Sequence, residues 1–526
     1  MKHVKRLASL LLALTLVFAL AATAGAATVT VPGGILEGHS FTAYQVFSGR
    51  YEDGVLSDVQ WGNGVNSESF LNALKGLTGG EQTDSLFEDC TDAKSVADVL
   101  SANSSNTALA NTVAKLAYAH KTGDGTALTQ GENTMDDGYY LVVDTTQSVA
   151  QGSAYNASLL QVVGNIDIRV KTAVPTVEKK VLEDDKYNQD GGYGTGYNDV
   201  ADYNIGDAVP FKLIGSVPDM SRYDTYKYIF HDTLSNGLTL NESSIKVYVA
   251  SDKAGTGKAE ITDWTKKVTG QSFTVSFADI KSVSGVSNGK YIIVEYTATL
   301  NENAEVGLNG NPNTVHLEYS NMPDQSGSGD NNTGNTPEDK AIVFTYELDT
   351  TKVDGQDDTK KLAGAEFKLQ NAARKWAIVD SNSKVKGWAA NEADGSTLTS
   401  DTNGLFNVIG LDDGTYYLKE TKAPAGYNLL SEEIAVVITA TTTNGQTWTD
   451  GVASTALTGL AVTADETAGT GNTSTGIAGI TIANNKGSTL PETGGVGTTL
   501  FYVLGGILVA GAVVLLVTKK RMNSAE

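Results

Sequence analysis

The stretch GTYYLKETKAPAGY, residues 414–427, decides how the chain folds. Tyr416, Leu418 and Glu420 alternate with Tyr417 and Lys419. Successive side chains of a β-strand point to opposite faces, so the first three share one. If Tyr416 and Leu418 face a core, Glu420 faces it too. A lone carboxylate in an apolar interior is costly unless it is neutral or paired. The stretch therefore predicts a sandwich strand that ends in a carboxyl group with buried partners.

The same alternation recurs on both sides. It is seen in FTAYQVF (41–47), YLVVD (140–144), IDIRV (166–170), IKVYV (245–249), FTVSF (273–277), YIIVEYTATL (291–300), VHLEY (315–319), FTYEL (344–348) and FKLQ (367–370). Turn-rich segments separate these runs, a pattern that predicts mostly-β sandwich domains in series. Residues 67–77 and 95–120 instead carry Ala and Leu at helical spacing, which gives the first domain helical insertions. VKTAVPTVEKKV places a Pro between two strand-like runs, and NMPDQSGSGDNNTGNTPEDK (321–340) has a linker's composition. The expected domains are 27–171, 172–325 and, after a linker at 326–339, 340–486.

Processing signals flank them. Residues 1–26 have a basic start, an apolar run and a small-x-small site at Ala24-Gly25-Ala26, the pattern of a secretory signal peptide. Residues 498–518 hold no charge, and a helix of about 20 residues spans roughly 30 Å, enough to cross a bilayer. Lys519, Lys520 and Arg521 follow, which keeps that end in the cytoplasm and the body of the chain outside. The 526 residues suffice for three domains. Lys plus Arg number 38 against 61 Asp plus Glu, a formal charge of −23 that argues against nucleic acid as a partner. Cys90 is the only cysteine, so no internal disulfide forms, and it has no assigned role. Five scattered histidines and the absence of HExxH, CxxC and GxSxG leave metal sites, cofactors and nucleophilic catalysis unsupported.

Leu490, Pro491, Glu492, Thr493 and Gly494, followed by the apolar segment and the basic tail, resemble the LPxTG sorting signal of Gram-positive surface proteins. That resemblance implies that a sortase cuts the Thr493–Gly494 bond. GTYYLKETKAPAGY resembles the E-box, YxLxETxAPxGY, through Tyr416, Leu418, Glu420, Thr421, Ala423, Pro424, Gly426 and Tyr427. The E-box occurs in pilins and adhesins whose Ig-like or Cna-type β-sandwich domains form Lys–Asn isopeptide bonds. Such a bond needs a neutral amine, close contact and an acid that polarises the amide carbonyl; an apolar interior, the fold and the carboxyl supply these in turn. In the third domain Phe344, Tyr346, Leu348 and Lys352 share a phase, as do Ile480, Ile482 and Asn484. The resemblance thus implies Lys352–Asn484 with Glu420 as acid, and Asn485 as the fallback acceptor.

In the middle domain Val177, Lys179 and Val181 share a face. YIFHDTLSNGL (228–238) resembles the segment that supplies an Asp in the middle domain of such pilins, which marks Asp232, and NTVHLEY (313–319) resembles the last strand, with Asn313 as acceptor. Lys180, Asn321 and Asp224 stay open as alternatives. The first domain has no lysine between Ala27 and Asn72, and DDGYYLVVD carries Val143 where the acid would stand, so no bond is expected there.

IDIRVK (166–171) resembles the pilin motif VxVYPK in the spacing of its lysine, with Arg169-Val170 in place of the YP pair. This implies Lys171 as the nucleophile that joins the next subunit. The whole order resembles the backbone (major) pilin of sortase-assembled Gram-positive pili. Implied partners are sortase, identical subunits, minor pilins, peptidoglycan and host surface ligands. A monomeric wall-anchored adhesin and a wall-anchored enzyme are the competing readings; the single-turnover cross-link does not make the chain an enzyme.

Overall fold

The computed structural model describes residues 27–31, 36, 38–77, 85–162, 173–184, 192–324, 332–444, 446, 448–449, 452–453, 455–487 and 496–522. The signal peptide, Lys171 and the LPETG pentapeptide lie outside the described residues.

The first domain is a sheet in the order Val55–Trp61, Phe41–Glu52, Gly138–Asp144, Leu159–Val162, with Thr126–Leu128 beside Phe41–Glu52. In Phe41–Glu52, Tyr44 and Val46 face a core shared with Phe70, Leu74, Val96 and Val113 of the helices, and a bulge between Gln45 and Phe47 turns Phe47 to the same core. Phe41 and Ala43 go to a smaller core under the paired strands Ala27–Val31 and Gly131–Met135. The helical stretch expected at 95–120 is two helices, Ala93–Ala102 and Thr107–Ala119. Asn and Ser compete for backbone hydrogen bonds and favour caps, and Asn106 caps the second helix by accepting from Leu109 N at 3.1 Å.

The middle domain is a two-sheet sandwich. One sheet runs Ala259–Ile261, Lys246–Ala250, Tyr291–Leu300, Ala208–Ser216, Val177–Leu182, Tyr197–Asn198. The other runs Val200–Asp202, Asp339–Phe344, Asn311–Ser320, Tyr228–Leu234, Ser272–Ser276, Thr265–Thr269. Residues 333–344 depart from the expected linker and third-domain start. Thr333–Asn335 pairs with Glu318–Ser320, and Asp339–Phe344 lies between Asn311–Ser320 and Val200–Asp202. Ala341, Ile342, Val343 and Phe344 are wholly buried. A run apolar on both faces belongs inside a structure, not in a linker. Asn311–Ser320 is consequently not the last strand of the middle domain.

The third domain begins at Tyr346, directly after that strand. Its first strand, Tyr346–Asp354, pairs in parallel with its last, Ile477–Asn484. The facing sheet is centred on Glu366–Gln370, Gly414–Lys422 and Ile434–Thr442. The middle and third domains share one apolar core, and Ile205 N donates to Gly410 O at 2.9 Å across their junction. Gly410 has φ +92°, and a Cβ there would stand 2.5 Å from Ile205 Cδ1, so only glycine fits.

Tyr346–Asp354 also shows the cost of its outward face. Tyr346, Leu348, Thr350 and Lys352 point inward, whereas Glu347 and Asp349 share the other face. Burial and then Glu347 push the Asp349 carboxyl up to about 6. A raised carboxyl pKa means that the folded state holds the proton more tightly, so stability falls as pH rises from the ordinary Asp range through 6. Asp349→Asn should therefore raise the melting temperature at about pH 7 by about 2–4 °C and leave it unchanged near pH ~3, below the ordinary Asp range. Thermal unfolding followed at both pH values checks this.

Candidate functional site

Two buried polar clusters stand in these apolar sandwiches. In the middle domain Lys179 comes from one sheet, and Asp232 and Asn313 from the facing sheet. All three are wholly buried. Lys179 pairs with Leu213 in register and so points between the sheets. Asp232 lies opposite Val315, and Leu234 opposite Asn313, which brings the acid and the amide together on one face. Lys179 Nζ donates to Asp232 Oδ2 and, at 3.0 Å, to the Tyr296 hydroxyl. Tyr296 Oη donates to Asp232 Oδ2 at 3.0 Å and accepts from Asn313 Nδ2 at 2.8 Å. Burial brings the Lys179 amine down to about 8 and pushes the Asp232 carboxyl up, against their mutual attraction. Both shifts favour the uncharged forms. The carbonyl oxygen of Asn313 has no donor among the described residues.

Tyr296 was not singled out from the sequence. Its signal is there: YIIVEYTATL sends Ile292, Val294, Tyr296, Ala298 and Leu300 inward, one hydroxyl in an otherwise apolar row. The alternatives fall elsewhere. Lys180 is in the opposite phase and pairs with Asp199. Asp224 accepts from Lys115 at 2.7 Å in the first domain. Asn321, in phase with Asn313, lies beyond the strand, where its backbone accepts from Tyr155 N at 2.8 Å.

In the third domain the arrangement differs. Lys352 and Asn484 come from neighbouring parallel strands, with Lys352 opposite Ile482 and Asp354 opposite Asn484. Glu420 reaches Asn484 from the facing sheet. All three are buried. Asn484 Nδ2 donates to Glu420 Oε1 at 3.0 Å, to Oε2 at 2.9 Å and to Asn428 O at 2.8 Å. Glu420 also accepts from Leu430 N at 2.8 Å. Lys352 Nζ donates to Ile482 O at 3.1 Å, and burial brings its amine down to about 8. Asn485 is exposed on the other face.

The rest of the E-box grips this cluster. Tyr416 Oη donates to Asp412 O at 2.9 Å, and Leu418 is wholly buried beneath the sheet. Thr421 Oγ1 donates to Glu366 O at 3.2 Å on the neighbouring strand. After Ala423, the turn from Pro424 to Gly426 brings Tyr427 N to Pro424 O at 3.0 Å. Tyr427 Oη then donates to Asp354 Oδ2 at 2.7 Å, and Gly487 N donates to Gly426 O at 3.1 Å. The motif thus holds the C-terminal ends of both parallel strands, just past Lys352 and Asn484. In the first domain Val143 is buried, and the neighbouring polar group is His39 with Asp144 at 2.7 Å.

Comparison with known proteins follows the same division. Residues 205–323 match the family described as Gram-positive pilin backbone subunit 2, Cna-B-like domain. Residues 347–452 match the prealbumin-like fold domain, and 482–524 match the LPXTG cell wall anchor motif. The trypsin-resistant surface T6 protein of Streptococcus pyogenes serotype M6 is 26% identical over 451 residues, covering 72% of this chain and 76% of that protein. Fimbrial subunit type 2 of Actinomyces naeslundii is 30% identical over 265 residues, 43% of this chain and 46% of that protein. The solved T6 backbone pilin of serotype M6 Streptococcus pyogenes shares the fold, with a TM-score of 0.50 at 20% identity over 88% of this chain and 98% of that one.

These matches define a cell-wall-anchored surface protein built from pilin domains. The chain has the make-up of a backbone, or major, pilin of a Gram-positive pilus, with pilin-backbone domains followed by an LPXTG anchor. Its helix Thr498–Met522 is long and apolar enough to cross a membrane and fits transient retention there.

Lys352 is a buried amine whose hydrogen-bond partner is the backbone carbonyl of Ile482. In a Glu420→Ala chain, the further change Lys352→Met should therefore stabilise the third domain by about 1–3 kcal/mol. Denaturant unfolding of the single and double variants measures the difference.

Proposed function

We propose that this backbone pilin is the covalently polymerised shaft subunit of the pilus, with two self-formed isopeptide bonds. Lys179 joins Asn313 with Asp232 as acid, and Lys352 joins Asn484 with Glu420 as acid. The observation that carries this reading is the repeated burial of a lysine, a carboxyl and an asparagine between facing sheets, at two sites of different local geometry. Ion pairs alone do not account for it, because removing two charges from water costs more than an isolated buried pair returns. A displacement does. The neutral amine attacks the amide carbon, the carboxyl proton polarises the carbonyl oxygen, and ammonia leaves as the new amide forms. Apolar walls favour the neutral amine and the protonated acid, and the fold supplies contact in place of concentration.

Sortase cuts the Thr493–Gly494 bond in this reading, and Lys171 of the next subunit takes up the Thr493 acyl group. Minor pilins, peptidoglycan and host surface ligands complete the set of partners. The domains are taken as 27–171, a middle domain from 172 that includes the strand Asp339–Phe344, and a third from Tyr346 to 486. The helix that follows is fully exposed, so residues 27–489 contain the whole folded body.

Intact mass of that fragment tests the cross-links. The expected deficit is two ammonias, falling to one in Asp232→Ala and to one in Glu420→Ala. A mass equal to that of the unmodified chain would sink the proposal. In cells, Lys171→Ala should abolish the high-mass ladders of polymerised subunits while leaving the monomer exported; ladders that persist would remove Lys171 from its assigned role.

A further inference from the structure

The two clusters differ in how they can move protons. Amide displacement requires two transfers besides polarising the carbonyl. The attacking nitrogen must lose a proton after it bonds to carbon, and the departing nitrogen must gain one, because an amide anion is too basic to leave. In the third domain both Glu420 oxygens touch Asn484 Nδ2, so one carboxyl covers the departing nitrogen directly. In the middle domain the group placed between the two nitrogens is a phenol. Tyr296 Oη stands 3.0 Å from Lys179 Nζ and 2.8 Å from Asn313 Nδ2.

We propose that Tyr296 is a catalytic residue of the middle-domain cross-link, its hydroxyl relaying a proton from Lys179 Nζ to the departing nitrogen of Asn313. This rests on the Lys179–Asn313 reading above. The step balances as follows. Lys179 Nζ, as a neutral amine, bonds to Asn313 Cγ while the Asp232 carboxyl gives its proton to the carbonyl oxygen. Nδ2 is planar and lacks a basic lone pair in the amide; once Cγ is tetrahedral it has one. Tyr296 gives its proton to Nδ2 as it takes one from the now cationic Nζ. The Cγ–Nδ2 bond breaks, ammonia departs, the carbonyl re-forms and its proton returns to Asp232. The phenol and the carboxyl end as they began, and no outside reactant is consumed.

Three further observations fit this role. The ring is fixed between Phe211, stacked at 5.5 Å, and Phe273, edge-on at 5.0 Å, so the hydroxyl has little freedom to wander. Tyr296 and the three reacting groups are all buried, so bulk water does not compete for the transfers. Burial also holds the phenol far above its ordinary pKa, which suits a hydroxyl that gives and takes a proton together and never rests as phenolate. Its strand lies in the sheet that carries Lys179, facing Asp232 and Asn313, which is why the hydroxyl enters from the nucleophile's side.

Tyr296→Phe keeps the ring and its packing and removes the hydroxyl, with its hydrogen bonds to Lys179, Asp232 and Asn313. The test follows intact mass through time after cell-free synthesis of residues 27–489, with peptide mapping of each cross-link. The Lys352–Asn484 bond in the same molecule is the internal standard. The expected result is that Tyr296→Phe slows the Lys179–Asn313 bond by about 100-fold or more and leaves the other unchanged. Formation at the unaltered rate would overturn the relay and leave the cross-link reading standing. Absence of the Lys179–Asn313 link from the unsubstituted chain would remove both. Crystal structures of Asp232→Ala and of Asp232→Ala with Tyr296→Phe, neither able to link, separate chemistry from positioning. Lys179 and Asn313 in unchanged positions support the relay, and displacement of either in the double variant assigns the slowing to lost positioning and overturns it.

Discussion

The structure turns on the burial of lysine amines inside apolar sandwiches. An amine taken out of water must lose its charge or gain a partner, and here the surroundings push towards the first. Lys179 and Lys352 both fall towards about 8, in each case because burial outweighs a neighbouring carboxyl. Such a position would be a liability if the side chain did nothing but pack. Around each amine the phase of the strands gathers a carboxyl and an amide into the same buried cluster.

The two sandwiches build this cluster differently. The middle domain spans the gap between its sheets, with the lysine on one side and the acid and amide on the other. An Asp suffices because it sits on the strand next to the amide, and a phenol bridges what remains. The third domain sets lysine and amide on neighbouring parallel strands and brings a longer carboxyl across from the facing sheet. Asp in one domain and Glu in the other thus follow from distance and direction.

The body between the clusters is continuous. Asp339–Phe344 completes a middle-domain sheet and runs straight into the strand that carries Lys352. Because that run is apolar on both faces, it seals one core and opens the next, and the Ile205–Gly410 contact locks the junction. Towards the first domain the contact is polar. Arg222 donates to Asn111 and to Ser158 O, and Asp324 accepts from Ser158 N at 2.5 Å. The first domain is fastened by hydrogen bonds, and the other two by shared hydrophobic burial.

Much of this was legible in the sequence because the strand period of two is strict. Once Tyr416 and Leu418 face inward, Glu420 has no choice, and the same phase rule places Lys179, Lys352, Asn313 and Asn484. The mostly-β class, the helical insertions and the apolar C-terminal helix were readable for the same reason: each is a local property of periodicity, charge or length. Tertiary structure alone decided what depends on neighbours distant in the chain. It put Asp339–Phe344 inside the middle sheet, although a linker's polar composition runs up to its edge. It broke the long helical stretch where Asn106 found a backbone partner. It brought Tyr296 between three residues from three other strands. Periodicity tells which way a side chain points, but which strand lies opposite is fixed only when the sheets close on one another.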